Sequence, residues 1–132
     1  MPNAIYPKFK EQILQAGVNL SSANVKAVLI DAADYTYSGA HEFLSSIPAA
    51  ARVSTSANLG TKTFTDGTFD TADTVFAAVT GDQSEAIVLY VDTGSDATSR
   101  LIVYRDTGVT NLPVTPNGGD INVSVPAGWF TL

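Results

Sequence analysis

The sequence predicts a mainly β protein: one antiparallel β-sandwich, of which a jelly roll is one form, preceded by an N-terminal α-helix. Three observations carry that expectation. About eight short runs rich in β-branched and aromatic residues follow one another from Val25 onward. Gly, Asp, Asn and Pro separate them at short intervals. Only the first segment carries an apolar stripe at helical spacing.

That first segment, NAIYPKFKEQILQAG, is the helix candidate. Ile5, Phe9, Ile13 and Ala16 recur at steps of four, four and three, and Leu14 widens the stripe. Pro7 lies near the start, where a helix tolerates it, and Gly17 is a natural stop. VKAVLID, from Val25 to Asp31, reads as a buried strand. Ser38 to Ser46 suits a short helix, capped by Ser38 and ended by Pro48. ARVSTSA alternates as a strand should. In TKTFTDGTFDT, Asp66-Gly67 stands between two Thr/Phe arms and predicts a hairpin with a two-residue primed turn. TVFAAVT is an apolar strand. EAIVLYVD and RLIVYRD are the clearest strands in the chain. A long loop, TGVTNLPVTPNGGD, leads to INVSV, and PAGWFTL ties down the C-terminus through Trp129, Phe130 and Leu132. No linker or composition break divides the chain, so residues 1–132 are expected to form a single domain. Its parts are a helical segment, 1–20, and the sandwich, 21–132.

Composition narrows the function classes. The formal net charge is −6, and charged residues make up only 15% of the chain against 45% hydrophobic. Scattered Lys and Arg on an acidic chain do not suit phosphate contacts or an anionic membrane surface, so neither nucleic acid nor membrane is an expected partner. There is no cysteine, which removes disulfides, thiolate metal sites and cysteine nucleophiles. No apolar run approaches the roughly 20 residues needed to span a bilayer. The N-terminus lacks the basic-then-apolar pattern of a signal peptide, and the expectation is a protein made and used without secretion.

Asp-Thr-Gly occurs twice, at Asp92 and Asp106, each time after an apolar strand. An aspartic protease presents its catalytic carboxylates in this way. That mechanism needs two carboxylates about 3 Å apart sharing one proton. The two aspartates are instead separated by a turn and one strand, and a strand of six residues spans roughly 20 Å. Each copy is expected to close a strand, with Asp accepting local backbone hydrogen bonds and Gly supplying positive φ. His41, beside Ser38, Ser45 and Ser46, lacks a nucleophile elbow and an orienting acid, so a structural role is expected. Asp92 and Asp96 offer two carboxylates to calcium, which wants about six to eight oxygens. Tyr35, Tyr37, Tyr90 and Tyr104 could build a sugar platform, but the strands around Tyr90 and Tyr104 favour core packing. No catalytic residue, no cofactor and no metal is expected.

VKAVLIDAADY, HEFLSSIP with ARV soon after, and the block VLYVDTG … LIVYRDTG … LPVTPNGGDI belong together. With the opening MPNAIYPKFKEQILQAGVNL, they resemble small proteins encoded in the structural modules of tailed bacteriophages. The resemblance covers most of the chain and implies a virion structural component. It implies most readily a capsid decoration, or cement, protein on the outside of the assembled head, made in the host bacterial cytoplasm. Its partner would be the major capsid protein, and it would form a homo-oligomer, trimer or dimer, on the shell. The alternative is a tail-associated or receptor-binding component recognising a host surface glycan. Two segments are candidates for the partner contact: Ile5, Phe9, Ile13 and Leu14 in the N-terminal stripe, and Leu112, Pro113, Val114 and Pro116 in the long loop. For Phe9 and Ile13, covering an open face of the sandwich is the stronger expectation.

Overall fold

Pro7 decides how the chain begins. A residue before proline is pushed out of the helical region toward extended backbone, and Tyr6 lies there, at φ −62° and ψ 127°. In a computed structural model that describes residues 3–132, Ala4–Ile5 therefore forms a short strand, β1, and the helix α1 runs only from Pro7 to Leu14. Ile5 thus leaves the helical stripe expected for it and pairs with Val103 in a sheet. Leu14 does not widen a buried stripe either, being 87% exposed. The helix closes on Ala16, at φ 56°, rather than on Gly17. Ala16 N–H donates to the Ile13 carbonyl (3.2 Å) and Gly17 N–H to the Gln12 carbonyl (2.8 Å). This is the Schellman pattern, with alanine in the left-handed position that glycine usually fills.

The remaining strands are β2 (Val25–Ile30), β3 (Arg52–Thr55), β4 (Thr68–Phe69), β5 (Thr74–Phe76), β6 (Ala86–Val91), β7 (Leu101–Arg105), β8 (Ile121–Val123) and β9 (Phe130–Thr131). Five of them make one antiparallel sheet in the order β1-β7-β6-β2-β3. The others pair as two antiparallel ribbons, β4 with β9 and β5 with β8. The fold is thus mainly β, sandwich-like, with antiparallel sheets and one helix near the N-terminus. Among the described residues the sheets have five, two and two strands, which is not the pair of four-stranded sheets of a jelly roll.

Both faces of the large sheet are covered, which is why β2, β6 and β7 read as continuous apolar runs and do not alternate. On one face the register aligns Tyr104, Val88 and Val28. The Tyr104 ring meets Tyr35 and Tyr37 there, with centroids 6.4 and 5.7 Å away. On the other face Ile5, Val103, Leu89 and Ala27 align. Arg105 shares that face and donates to the Trp129 carbonyl at 2.8 Å, which brings the C-terminal segment over it. Phe130 then packs edge-on to Phe9 of α1 and tilted against Phe69 of β4. Phe9 is fully buried, as expected for a residue covering the sandwich, and Ile13 packs partly buried beside the core.

Two local expectations change for tertiary reasons. Ser38 to Ser46 forms no α-helix. Its backbone is claimed by the segment before β7: Leu101 N–H donates to the Glu42 carbonyl and Leu44 N–H to the Ser99 carbonyl. Only a 3-10 turn, Leu44–Ser46, remains. Ser38 Oγ caps a turn at Ala40 N–H instead. The Asp66-Gly67 turn forms as predicted, with φ 53° and 79° at its central residues. Its arms pair with each other at Thr63 and Asp70, and Thr68–Phe69 takes the C-terminal strand on its other edge.

Candidate functional site

The two segments proposed for partner contact lie at opposite ends of the large sheet. Val114 exchanges two backbone hydrogen bonds with Ser84 (2.9 Å each), just outside the end where Ile30 pairs with Ala86. The end of α1 faces the loop 18–21, which joins the other end of β2, where Val25 pairs with Val91. Six residues of strand separate the ends, roughly 20 Å. They are two surfaces.

The first surface is a groove of about 600 Å³ between the end of α1, the loop 18–21, the Asp66-Gly67 turn and the C-terminal strand. Ile13, Leu20, Phe64, Phe69, Phe130 and Leu132 give it apolar walls, and no charged side chain lines it. The loop wall is held from behind by Lys62, whose ammonium donates to the Leu20 carbonyl (2.8 Å) and to the Ala23 carbonyl. Of the four large apolar side chains exposed among the described residues, Phe64 and Leu132 line the groove and Leu14 is next to Ile13. The sequence named Ile13 and Leu14 here. It missed Phe64 and Leu132, which line the groove through the pairing of Thr68–Phe69 with Phe130–Thr131.

The second surface is the loop from Gly108 to Gly119. Thr110 N–H donates to the Ser124 carbonyl, Val114 is tied to Ser84, and Gly118 and Val79 N–H close the far end on each other's segment. Leu112 and Val114 turn partly into the core, while Pro113 and Thr115 are exposed. Pro116 is half-buried.

The Asp-Thr-Gly repeats are turns. Asp92 Oδ1 accepts the Gly94 N–H (3.1 Å), and Gly94 sits at φ 85°. That hydrogen bond, together with the Lys26 ammonium 3.2 Å away, holds the Asp92 carboxyl below the usual carboxylate range. At the second copy, Asn3 Oδ1 accepts from Asp106 and Thr107 N–H. Asp92 and Asp106 lie at opposite ends of β7, so they form no shared-proton dyad. Asp92 and Asp96 each face a cation of the chain itself, Lys26 at 3.2 Å and Arg52 at 2.7 Å.

His41 ends a hydrogen-bonded chain. The Tyr6 and Tyr35 hydroxyls are 2.8 Å apart, and Tyr35 Oη is 2.8 Å from His41 Nδ1. Tyr6 donating to Tyr35, and Tyr35 to an unprotonated Nδ1, satisfies every hydroxyl proton. Burial pushes the Tyr35 hydroxyl up to about 12 and Tyr6 well above the ordinary phenol range. Tyr35, Tyr90 and Tyr104 are buried, and so is Trp129, so the sugar platform is not exposed.

One cluster the sequence did not suggest joins Asp31, Asp34 and Asp82, whose carboxylate oxygens lie within 4.8 Å of one another. The contact crosses from the end of β2 to the turn before β6, a proximity no local motif encodes. With one oxygen from each, the three carboxylates provide three of the roughly six to eight that calcium takes, and Asp31 Oδ1 already accepts the Ala33 N–H.

No protein-family model matches the chain, and no curated protein matches it.

Proposed function

We propose that this chain is a bacteriophage virion structural protein that decorates the outside of the assembled head and stabilises it by binding the major capsid protein. The observation that carries the reading is the pinned Gly108–Gly119 loop on a doubly covered sheet. A loop already ordered by backbone hydrogen bonds loses little entropy on docking, so more of its contact energy appears as affinity. Loops on rigid β scaffolds are where binding residues concentrate. The sequence resemblance to phage structural-module proteins supplies the partner class. The net charge of −6 suits a position away from packaged DNA. A protein that binds the assembled shell and not its free subunits adds its binding free energy to shell stability by mass action. Many weak contacts over the shell would act together. The glycan-binding alternative loses its candidate platform, because three of its four tyrosines and Trp129 are packed inside.

Co-sedimentation tests this. Purified protein is added to shells lacking it and to unassembled capsid subunits. The expected result is binding to shells alone, weakened at least about tenfold in a Thr115→Arg, Pro116→Asp double variant. Equal binding by that variant would remove the loop from the contact. Absence of binding to shells would remove the proposal.

A further inference from the structure

Asn117 is the one asparagine of the chain that is followed by glycine. It stands on the Gly108–Gly119 loop, exposed together with Gly118 and Gly119. We propose that Asn117-Gly118 is a site of spontaneous deamidation, opened and closed by the backbone hydrogen bonds that tie this loop to Val79.

The chemistry needs no co-reactant but water. The Gly118 backbone nitrogen gives up its proton and bonds to Cγ of the Asn117 side chain. The bond from Cγ to Nδ2 breaks, and that nitrogen takes up a proton and leaves as ammonia. A five-membered succinimide remains. Water then opens the ring at one of its two carbonyls. Opening at the side-chain carbonyl leaves aspartate at position 117. Opening at the backbone carbonyl leaves isoaspartate, in which the main chain runs through Cγ.

Two features place the reaction at this residue. Glycine carries no Cβ, so nothing on the next residue crowds the approach of its nitrogen to Cγ. In addition, Asn117 Oδ1 accepts the Gly119 N–H at 2.9 Å, which polarises the carbonyl that is attacked. Asn19 separates the two features. Its Oδ1 accepts the Ser21 N–H at 3.0 Å in the same arrangement, but Leu20 follows it.

The fold supplies the gate. Gly118 N–H donates to the Val79 carbonyl at 2.8 Å, and Val79 N–H donates to the Gly119 carbonyl at 3.0 Å. While these bonds hold, the attacking nitrogen keeps its proton and its peptide plane. Reaction therefore runs through local openings, and its rate follows the open fraction when opening and closing are fast. Asp120 braces the other side of the gate. Its Oδ1 accepts the Ala78 N–H at 2.9 Å, and Ala78 sits at φ 48°, a conformation that costs an L-residue energy. Removing that acceptor should let Val79 leave more often. The inference concerns the isolated chain and stands whether or not this loop meets a shell.

Peptide mapping by mass spectrometry tests it. The purified chain is held in mildly alkaline buffer, with and without guanidinium chloride. The unfolded chain is expected to convert at Asn117 before Asn19, with isoaspartate among the products. The native chain should convert at the same residue at least about tenfold more slowly, since two hydrogen bonds must open first. Asp120→Ala changes an exposed residue, so the fold should survive, as circular dichroism would verify. It should raise the native rate about threefold or more and leave the unfolded rate unchanged. Equal native and unfolded rates would overturn the proposal. So would an Asp120→Ala rate equal to that of wild type, conversion led by Asn19, products without isoaspartate, or no native conversion in either protein.

Discussion

At the scale of single residues, three side chains carry separable energies. Ala16 holds a left-handed backbone at φ 56°, a conformation that costs an L-residue roughly 1–2 kcal/mol. Ala16→Gly removes that cost and gives back part of it as unfolded-chain entropy. Thermal unfolding should therefore show a gain of up to about 1 kcal/mol. Tyr35 stands between Tyr6 and His41, so Tyr35→Phe leaves the fully buried Tyr6 hydroxyl without its acceptor. Denaturant titration should read a loss of about 1–3 kcal/mol, and Tyr6→Phe combined with it should recover part of that loss. Asp92 has a folded-state carboxyl lowered by the Gly94 N–H and by Lys26. A lowered carboxyl contributes stability that is present above its unfolded value, near 3.9, and is lost as pH falls through the folded one. Asp92→Asn keeps an acceptor for Gly94 but drops the charge. It should lose up to about 1 kcal/mol at neutral pH and flatten the fall in stability below pH 4.

At the scale of elements, the C-terminal ribbon is the piece that completes the core. Phe130 joins Phe9 and Phe69, and Trp129 donates from its indole to Thr71 Oγ1 at 2.8 Å while its carbonyl takes Arg105. Phe9→Ala empties the centre of that contact and should cost about 3–5 kcal/mol in denaturant unfolding, against well under 1 kcal/mol for Leu14→Ala on the exposed side of the same helix. The contrast between Phe9 and Leu14 also shows where sequence reading stops. Apolar spacing marked both, and only the docking of Phe130 decides which is buried. Strands β6 and β7 were legible because β-branched and aromatic runs of that length have few other uses. The Asp66-Gly67 turn was legible because its two positive φ angles demand such residues. What escaped was long-range pairing: the C-terminus taking Thr68–Phe69, and the segment leading into β7, Ser99 to Leu101, claiming the backbone of Ser38 to Ser46. Pro7 did carry the signal for β1, through its effect on Tyr6, but helical periodicity outweighed it.

At the scale of the molecule, the pinned Gly108–Gly119 loop and the apolar groove at the end of α1 lie at opposite ends of the large sheet. The groove was legible only through Ile13, because its other walls come from the loop 18–21 and from residues 64–69 and 130–132, which meet only in the fold. The long loop was legible as a loop, but its rigidity arises from pairing with Ser84, Val79 and Ser124, which no local pattern announces. The shell-decoration account is tested most directly by a cryo-electron microscopy map of the intact virion. It predicts this fold on the outer surface of the head, in copy number proportional to the major capsid protein, with Leu112 to Pro116 facing the shell. Density for the fold only at the tail, or in a few copies per particle, would contradict it.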